Sequence, residues 1–214
     1  DGFRVLEVGC GSGNVLRVLH RLAAGRGTVE GPELSDEAAS VARLRTGLTV
    51  TNGYLSDLPS DASFDIIAAF DVLEHIADER AVLGQVRDRL RQGGRFIITV
   101  PAHTGLWSAF DVASGHKRRY TISRLSRALR TSGFSVEYAT YFMSLLYPPM
   151  WLQRRLFARH ETDMAAVLDS DFRIVPGVNQ LAYQMLRQEA HLIRARRRLP
   201  MGTSIAAIAV PDAR

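Results

Sequence analysis

The 214-residue sequence predicts an α/β fold with a doubly wound sheet. Short apolar runs of strand length alternate with segments of helical periodicity over most of the chain. The first alternation is the clearest, because an apolar strand, three closely spaced glycines and a helical pattern follow one another directly between residues 3 and 24. Such a turn lets the backbone approach a nucleotide-like ligand closely, since glycine has no Cβ. The sequence therefore predicts a ligand-binding α/β domain.

Seven strands and four helices follow from the same patterns. We predict strands near 3–8, 28–34, 48–52, 64–70, 94–100, 134–141 and 203–210, and helices near 14–24, 35–46, 79–91 and 122–132. Ser35, followed by two acidic residues, predicts a helix N-cap with an acidic first turn. Gly93–Gly94 and Gly133 are expected to end helices, because glycine readily takes the left-handed conformation found there.

About sixty residues separate the last two predicted strands, from Phe142 to Gly202. A structureless loop of that length is uncommon inside a compact domain, and this segment contains helical patterns. We therefore predict a ligand-binding domain over 1–141 and 203–214 and a helical insert over 142–202. Ligands of open α/β sheets bind at the carboxyl ends of the strands, so we expect the insert to form a lid and a wall of the substrate site.

The glycine spacing indicates which ligand is bound. A dinucleotide-binding turn needs G-x-G-x-x-G, and the third glycine is absent. The pattern present is Glu7-x-Gly9-x-Gly11-x-Gly13, which resembles the first motif of class I S-adenosylmethionine (SAM) methyltransferases. The resemblance implies a Rossmann-like seven-stranded sheet whose last strand is antiparallel. It also implies SAM as cofactor and S-adenosylhomocysteine as product.

Further stretches extend the resemblance. Glu33, at the end of the second strand, matches the acidic position that accepts hydrogen bonds from the ribose hydroxyls. Tyr54 stands where the family usually has an aspartate that binds the adenine amino group. Residues 63–76 resemble the fourth strand and the turn that lies beside the sulfonium. The implied cofactor residues are Glu7, Gly9, Cys10, Gly11, Gly13, Glu33, Leu34, Tyr54, Leu55, Phe70 and Asp71.

Four residues are candidates for catalysis. The stretch 115–121, with His116 and Tyr120, resembles a branch of small-molecule methyltransferases common in bacterial biosynthesis. These two side chains either hold or deprotonate a polar acceptor, or they brace the loop. His75 is either a base or a residue that orients its turn, and His103 follows the fifth strand. We predict no metal ligands.

The insert supplies the candidate acceptor residues Tyr147, Met150, Met185 and Glu189. Glu189 continues an apolar helical stripe, where a buried carboxylate needs an arginine partner or a ligand.

The single cysteine, Cys10, excludes a disulfide framework and favours a reducing, cytoplasmic location. Within the glycine loop it is either a nucleophile or a small residue that fits the turn. The chain begins with Asp1 rather than Met, so we expect further residues before it. The net charge is +5, and basic clusters lie at 116–119, 154–155 and 194–198. These clusters either bind nucleic acid or an anionic membrane surface, or they are solvated helix faces.

We therefore predict methyl transfer to a small organic acceptor, an aromatic compound or a biosynthetic intermediate. Transfer to oxygen, nitrogen or carbon remains open. Residues 70–73 lack the Asn/Asp-Pro-Pro-aromatic run of enzymes that methylate a base's amino group, so nucleic acid is not the expected partner. The alternatives are a quinone- or lipid-directed enzyme at a membrane surface, an RNA- or protein-modifying methyltransferase, and a SAM-binding subunit without catalysis.

Overall fold

A computed structural model describes residues 2–156 and 177–213 as one seven-stranded sheet with helices on both faces. The strands are β1 (Phe3–Val8), β2 (Gly27–Glu33), β3 (Thr49–Asn52), β4 (Phe64–Phe70), β5 (Leu90–Pro101), β6 (Phe134–Phe142) and β7 (Ser204–Pro211). Their order is β3-β2-β1-β4-β5-β7-β6, and β7 is antiparallel to both of its neighbours. The predicted Rossmann-like sheet with an antiparallel last strand is confirmed.

Four of the helices correspond to those that the periodicity predicts, and two more lie in the predicted insert. The described helices are α1 (Asn14–Ala23), α2 (Asp36–Thr46), α3 (Glu79–Arg89), α4 (Ala109–Ala113), α5 (Ile122–Thr131), α6 (Tyr147–Leu156) and α7 (Val178–Arg194). Ser35 caps α2, where its hydroxyl accepts a hydrogen bond from the Ala38 amide at 3.2 Å. Gly133 follows α5 with a φ of +83°, as expected of a glycine after a helix.

The prediction that Gly93–Gly94 end the third helix is wrong. α3 ends at Arg89, and the next residue, Leu90, is already extended and begins β5. Leu90 is buried and pairs with Phe64 of β4, so burying its side chain draws the chain into the sheet early. The two glycines lie within β5, at an irregularity in its pairing with β4.

Two apolar layers, one on each face of the sheet, form the core. The alternation of side chains along β1 places Leu6 and Val8 in the larger cluster, with α3 and α5, and Val5 in the smaller one, with α1 and α2. Strands β1 to β4 are parallel to one another, so their carboxyl ends meet at one edge of the sheet.

The helices α6 and α7 lie between β6 and β7 in the chain, within the predicted insert. Residues 157–176 of the predicted insert fall outside the described residues. α6 begins at Tyr147, whose ring contacts the ring of His103 just after β5, with 4.8 Å between their centroids. The start of the insert therefore lies against the carboxyl end of β5.

Candidate active site

A cleft of about 600 Å³ opens at the carboxyl ends of β1, β2 and β4. Six of the predicted cofactor residues line it: Gly9, Glu33, Leu34, Tyr54, Leu55 and Asp71. The ring of His75, a predicted catalytic residue, lines the same cleft. The structure thus brings together residues from four separate stretches of the sequence.

The three glycines of the turn have different surroundings. All three have a positive φ, at +67° for Gly9, +51° for Gly11 and +79° for Gly13, a region that other residues rarely adopt. A Cβ at Gly9 would lie 2.9 Å from Val72, and one at Gly13 would lie 2.9 Å from Thr46. A Cβ at Gly11 would meet no atom within 4 Å. Gly9 and Gly13 therefore permit close packing, whereas Gly11 borders open space that a ligand can fill.

Glu33 joins the glycine turn to the start of α2. Its carboxylate accepts hydrogen bonds from the Gly11 amide at 2.8 Å and from the Ser35 amide at 2.9 Å. This arrangement fixes the turn at the cleft wall. Hydrogen bonding of Glu33 to ribose hydroxyls stays a prediction.

Glu7 is a buried carboxylate beside the glycine turn, with 3% of the residue exposed. Its Oε2 atom has no hydrogen-bond partner among the described residues, and burial raises its pKa to about 8. An unpartnered buried carboxylate is costly, so the position suits a cationic ligand group. The environment of Glu7 fits a cofactor that carries an ammonium and a sulfonium group.

Five of the implied cofactor residues are not among those that line the cleft: Glu7, Cys10, Gly11, Gly13 and Phe70. The Cys10 side chain packs in the smaller core cluster. Burial, and then the charges of Glu7 and Glu33, raise the pKa of its thiol to about 12. A thiol that stays protonated is a poor nucleophile, so Cys10 acts as the small residue that fits the turn.

Tyr54 presents an exposed ring to the cleft, with 63% of the residue exposed. Its backbone amide donates to the Asp57 carboxylate at 2.8 Å, so Asp57 caps this turn. The ring is available to stack on a planar ligand, and a contact with adenine stays a prediction.

Asp71, directly after β4, has a φ of +54° and lies at the cleft. Its carboxylate accepts a hydrogen bond from the Thr99 hydroxyl at 3.2 Å. Burial raises its pKa, opposed by that hydrogen bond and by the nearby His116 and His75.

His116 packs edge-on against His75, with 4.8 Å between the ring centroids. Its Nδ1 lies 2.8 Å from the buried carboxylate of Asp111, which also accepts from Arg119 at 2.7 Å. Burial alone would raise the pKa of Asp111, but Arg119, His116 and Ser108 outweigh burial and lower it. An ionised carboxylate therefore orients the His116 ring.

Sequence reasoning did not identify Glu74, Asp111 or Arg119. Glu74 is fully buried on the short turn Leu73–His75, and burial raises its pKa to about 8. Its backbone carbonyl accepts from the Lys117 amide at 2.7 Å, which fastens the His116 loop to this turn. The sequence signal for Glu74 is weak, because it is one of several polar residues, with Asp71 and His75, in the stretch after β4.

His103 lies at the start of the short turn that follows β5, with a φ of +56°. Its ring stacks on Tyr141 at 4.8 Å and contacts Tyr147. Its Nε2 is buried without a hydrogen-bond partner among the described residues. Burial, and then the charge of Arg119, lower its pKa, so the ring is neutral at physiological pH.

Two predicted roles need correction. Tyr120 is fully buried, and its hydroxyl donates to Glu79, so it braces the loop instead of meeting an acceptor. Glu189 is buried as predicted, but its partners are the amides of Met143 and Ser144, at 2.7 and 2.8 Å. Neither an arginine nor a ligand is needed to satisfy this carboxylate.

Of the other acceptor candidates, Met185 lines a separate hollow of about 290 Å³ within the insert, together with Leu146, Pro149 and Glu189. Met150 is half-buried on α6 and lines neither this hollow nor the main cleft. Tyr147 contacts a candidate catalytic residue, the ring of His103.

A family model described as a methyltransferase domain matches residues 1–139. The chain belongs to this family. A probable S-adenosylmethionine-dependent methyltransferase of Mycolicibacterium smegmatis is 32% identical over 142 residues, covering 64% of this chain and 53% of that protein. A ubiquinone biosynthesis O-methyltransferase of Xanthomonas euvesicatoria is 28% identical over 185 residues, covering 77% of this chain and 75% of that protein. The chain spans about half the length of the first two curated relatives, at 53% and 44%.

Solved structures share the fold. A complex of the Haloferax volcanii Trm112 methyltransferase activator with a methyltransferase matches with a TM-score of 0.62 and 19% identity, covering 100% of this chain and 84% of that one. Phosphoethanolamine N-methyltransferase 2 of Haemonchus contortus, in complex with SAM, matches with a TM-score of 0.60 and 20% identity, covering 99% of this chain and 49% of that one.

The chain is thus a class I SAM-dependent methyltransferase domain, with SAM as its cofactor. The open space at Gly11 and the unpartnered carboxylate of Glu7 both fit this cofactor. When bound, SAM supplies an electrophilic methyl group. No helix among the described residues is long and apolar enough to cross a membrane.

Proposed function

We propose that this domain methylates a hydroxyl oxygen of a small aromatic acceptor. The observation that carries the proposal is the imidazole ring of His75 at the wall of the cleft, with the ring of His116 packed edge-on against it. A hydroxyl must lose its proton to become a good nucleophile, whereas an electron-rich aromatic carbon reacts with little help. The relatives named ubiquinone biosynthesis O-methyltransferase support oxygen as the acceptor atom.

The residues of the chain align the acceptor oxygen with the methyl carbon and accept the proton that the hydroxyl loses. Holding the acceptor oxygen about 3 Å from the methyl carbon contributes several kcal/mol to the lowering of the barrier. Burial, and then the charge of His116, lower the pKa of His75, so its ring is neutral at pH 7 and able to accept a proton. Asp111 holds His116 in a fixed orientation against it.

An acceptor screen tests the proposal. Phenols, catechols, indoles and isoprenoid alcohols are incubated with labelled SAM, and the methylated atom is identified by mass spectrometry and NMR. We expect methyl ethers from the aromatic hydroxyls, with SAM binding measured separately by calorimetry. Products methylated only on nitrogen or carbon would contradict the proposal, and SAM binding without any turnover would favour a non-catalytic subunit.

A pair of variants tests whether His116 contributes to turnover. His116→Ala should lower kcat by about 100-fold or more, as expected for loss of proton-transfer assistance, and leave SAM affinity within about twofold. His20→Ala, on the exposed side of α1, is the control and should match the wild type. An unchanged kcat in His116→Ala would show that the ring only braces its loop.

A membrane-bound quinone or lipid is the second candidate acceptor, favoured by the apolar surface of α6. Trp151, Leu152 and Leu156 are 41%, 50% and 62% exposed, and Arg155 stacks over the Trp151 ring at 5.2 Å. Apolar side chains beside a cation suit an anionic lipid surface. Co-sedimentation with anionic vesicles but not with neutral ones, lost in Trp151→Ser, would support this acceptor. Steep, salt-dependent retention on heparin without vesicle binding would favour a nucleic-acid substrate instead.

A further inference from the structure

Three potential metal ligands lie close together beside the cleft. They are the side chains of Glu74, His75 and His116, and we name them the Glu-His-His cluster. One ligand atom from each side chain lies within 4.8 Å of the other two. The two imidazole rings meet edge to face, at an interplanar angle of 79°. No other group of three or more such side chains occurs among the described residues.

The carboxylate of Glu74 lacks a partner. The residue is fully buried, and neither Oε1 nor Oε2 has a hydrogen-bond partner within the part of the chain that the structure describes. A buried carboxylate is stable when it is paired with a cation or coordinates a metal. Arg119, the nearby buried cation, already binds the Asp111 carboxylate and the Ala102 carbonyl.

The two histidines are oriented as metal ligands usually are. His116 directs Nδ1 to Asp111 at 2.8 Å, which leaves Nε2 for a second partner. Ligating histidines commonly direct their other nitrogen to a carboxylate or a backbone carbonyl in this way. Asp111 is itself fixed by Arg119 and by the Ser108 amide at 2.9 Å. The His75 ring forms a hydrogen bond with the backbone of Gly115.

We infer that the Glu-His-His cluster binds a divalent transition-metal ion such as Zn²⁺. Two imidazoles and one carboxylate form a ligand set typical of catalytic zinc and of non-haem iron sites, which keep open positions for water or substrate. Bonds of about 2.0–2.2 Å in tetrahedral geometry place ligand atoms about 3.3 Å apart, so small side-chain rotations close the cluster on the ion. This inference departs from the sequence-based prediction of no metal ligands.

The position of the cluster suggests what the ion does, and this role rests on the proposed methylation of a hydroxyl. With metal bound, the ion replaces His75 as the group that activates the hydroxyl, because a ligating imidazole nitrogen has no lone pair left to accept a proton. His75 lines the cofactor cleft, so an open coordination position would face the acceptor. A hydroxyl that coordinates a divalent metal loses its proton to solvent more easily, because the cation stabilises the oxyanion. The oxygen keeps a lone pair for the methyl group. The inferred substrate class is therefore an aromatic hydroxyl compound able to coordinate a metal, such as a catechol.

Metal binding is tested on the full chain after treatment with a chelator. Zn²⁺ is titrated by calorimetry, and bound metal is counted by mass spectrometry after dialysis. We expect one equivalent in the wild type and at least a tenfold loss of affinity in Glu74→Gln, His75→Ala and His116→Ala. His75 is exposed, so its variant keeps the core intact. His20→Ala and His191→Ala, both at exposed positions, are controls and should keep one equivalent.

Asp111, which orients His116, provides a second test of metal binding. Asp111→Asn should weaken Zn²⁺ binding by about 10- to 100-fold, as is typical for a residue that orients a ligating histidine. Co²⁺ substitution should give visible absorption bands that weaken in the same variants. A wild type that retains no metal, or ligand variants that bind it as the wild type does, would overturn the inference.

SAM affinity, measured by calorimetry on the same preparations, separates the two proposals. If the wild type binds SAM and methylates hydroxyls but holds no metal, only the metal site is refuted. If metal binds but chelation leaves methylation unchanged, the ion has no catalytic role. If no hydroxyl acceptor is methylated while metal binds, the proposed function fails and the metal site stands.

Discussion

At the scale of single residues, we expect the missing side chain of Gly11 to serve cofactor binding. Replacement by valine puts a branched side chain at a φ of +51° and fills the open space beside the turn. We expect Gly11→Val to fold, to lose about 1–3 kcal/mol of unfolding free energy, and to weaken SAM binding by more than 100-fold. Calorimetry and chemical denaturation measure the two effects.

Gly25 offers a matched control for this variant. It also has a positive φ, of +73°, and open space at its Cβ position, but it lies on the turn between α1 and β2. Gly25→Val should therefore destabilise the fold to a similar extent and leave SAM affinity unchanged. Equal SAM affinities in the two variants would show that the space at Gly11 does not belong to the cofactor.

Glu7 makes the stability of the fold depend on pH. Its pKa is about 8 in the folded chain and 4.5 in an unfolded one. Between these values the unfolded chain releases the proton and the folded chain keeps it, so the unfolding free energy falls as pH rises. Below pH 4.5 both states are protonated, and above pH 8 the loss is complete.

Glu7→Gln removes this titration and should therefore stabilise the apo domain most at high pH. We expect a gain of about 1–3 kcal/mol at pH 8 that shrinks toward zero near pH 4.5. Denaturation of both proteins across this pH range measures it. A gain that does not depend on pH would mean that Glu7 ionises normally in the folded state.

At the scale of elements, the boundary of α3 shows what periodicity misses. Helix propensity and a glycine pair suggest an end near residue 93, yet pairing of Leu90 with Phe64 ends the helix at Arg89. α4 escapes prediction because five residues are too short for a periodic signal. Elements whose limits depend on tertiary contacts cannot be read from local pattern alone.

Glu189 makes an element-scale prediction. Its carboxylate fastens α7 to the turn after β6 through the amides of Met143 and Ser144. Glu189→Ala leaves two amides without this acceptor, and we expect a loss of about 1–3 kcal/mol of unfolding free energy with unchanged SAM affinity. The exposed neighbour Gln188, changed to alanine, is the control. Loss of acceptor turnover without loss of stability would instead return Glu189 to the substrate site.

At the scale of the whole molecule, the sheet follows from the sequence, and six of the eleven residues that the motifs imply for the cofactor line one cleft, because these residues stand at predictable strand ends. The buried network behind the cleft does not follow from the sequence. Asp111 and Arg119 lie eight positions apart and meet only when the loop after β5 folds back onto the sheet, where Tyr120 pairs with Ala102. Sequence spacing alone carries no signal for such a contact.

The role of the insert depends on where its helices meet the sheet. Tyr147 begins α6 and contacts His103 at the carboxyl end of β5, whereas Met185 lines the hollow inside the insert. If the insert forms a wall of the acceptor site, Tyr147→Ala should change the order of preference among acceptors and raise the acceptor KM by about tenfold, as loss of one aromatic contact would. SAM affinity should stay within about twofold. Met185→Ala is the paired variant, and a matching shift in preference would extend the acceptor site into that hollow. Weaker SAM binding with unaltered acceptor preference in Tyr147→Ala would mean that the insert covers the cofactor and does not select the acceptor.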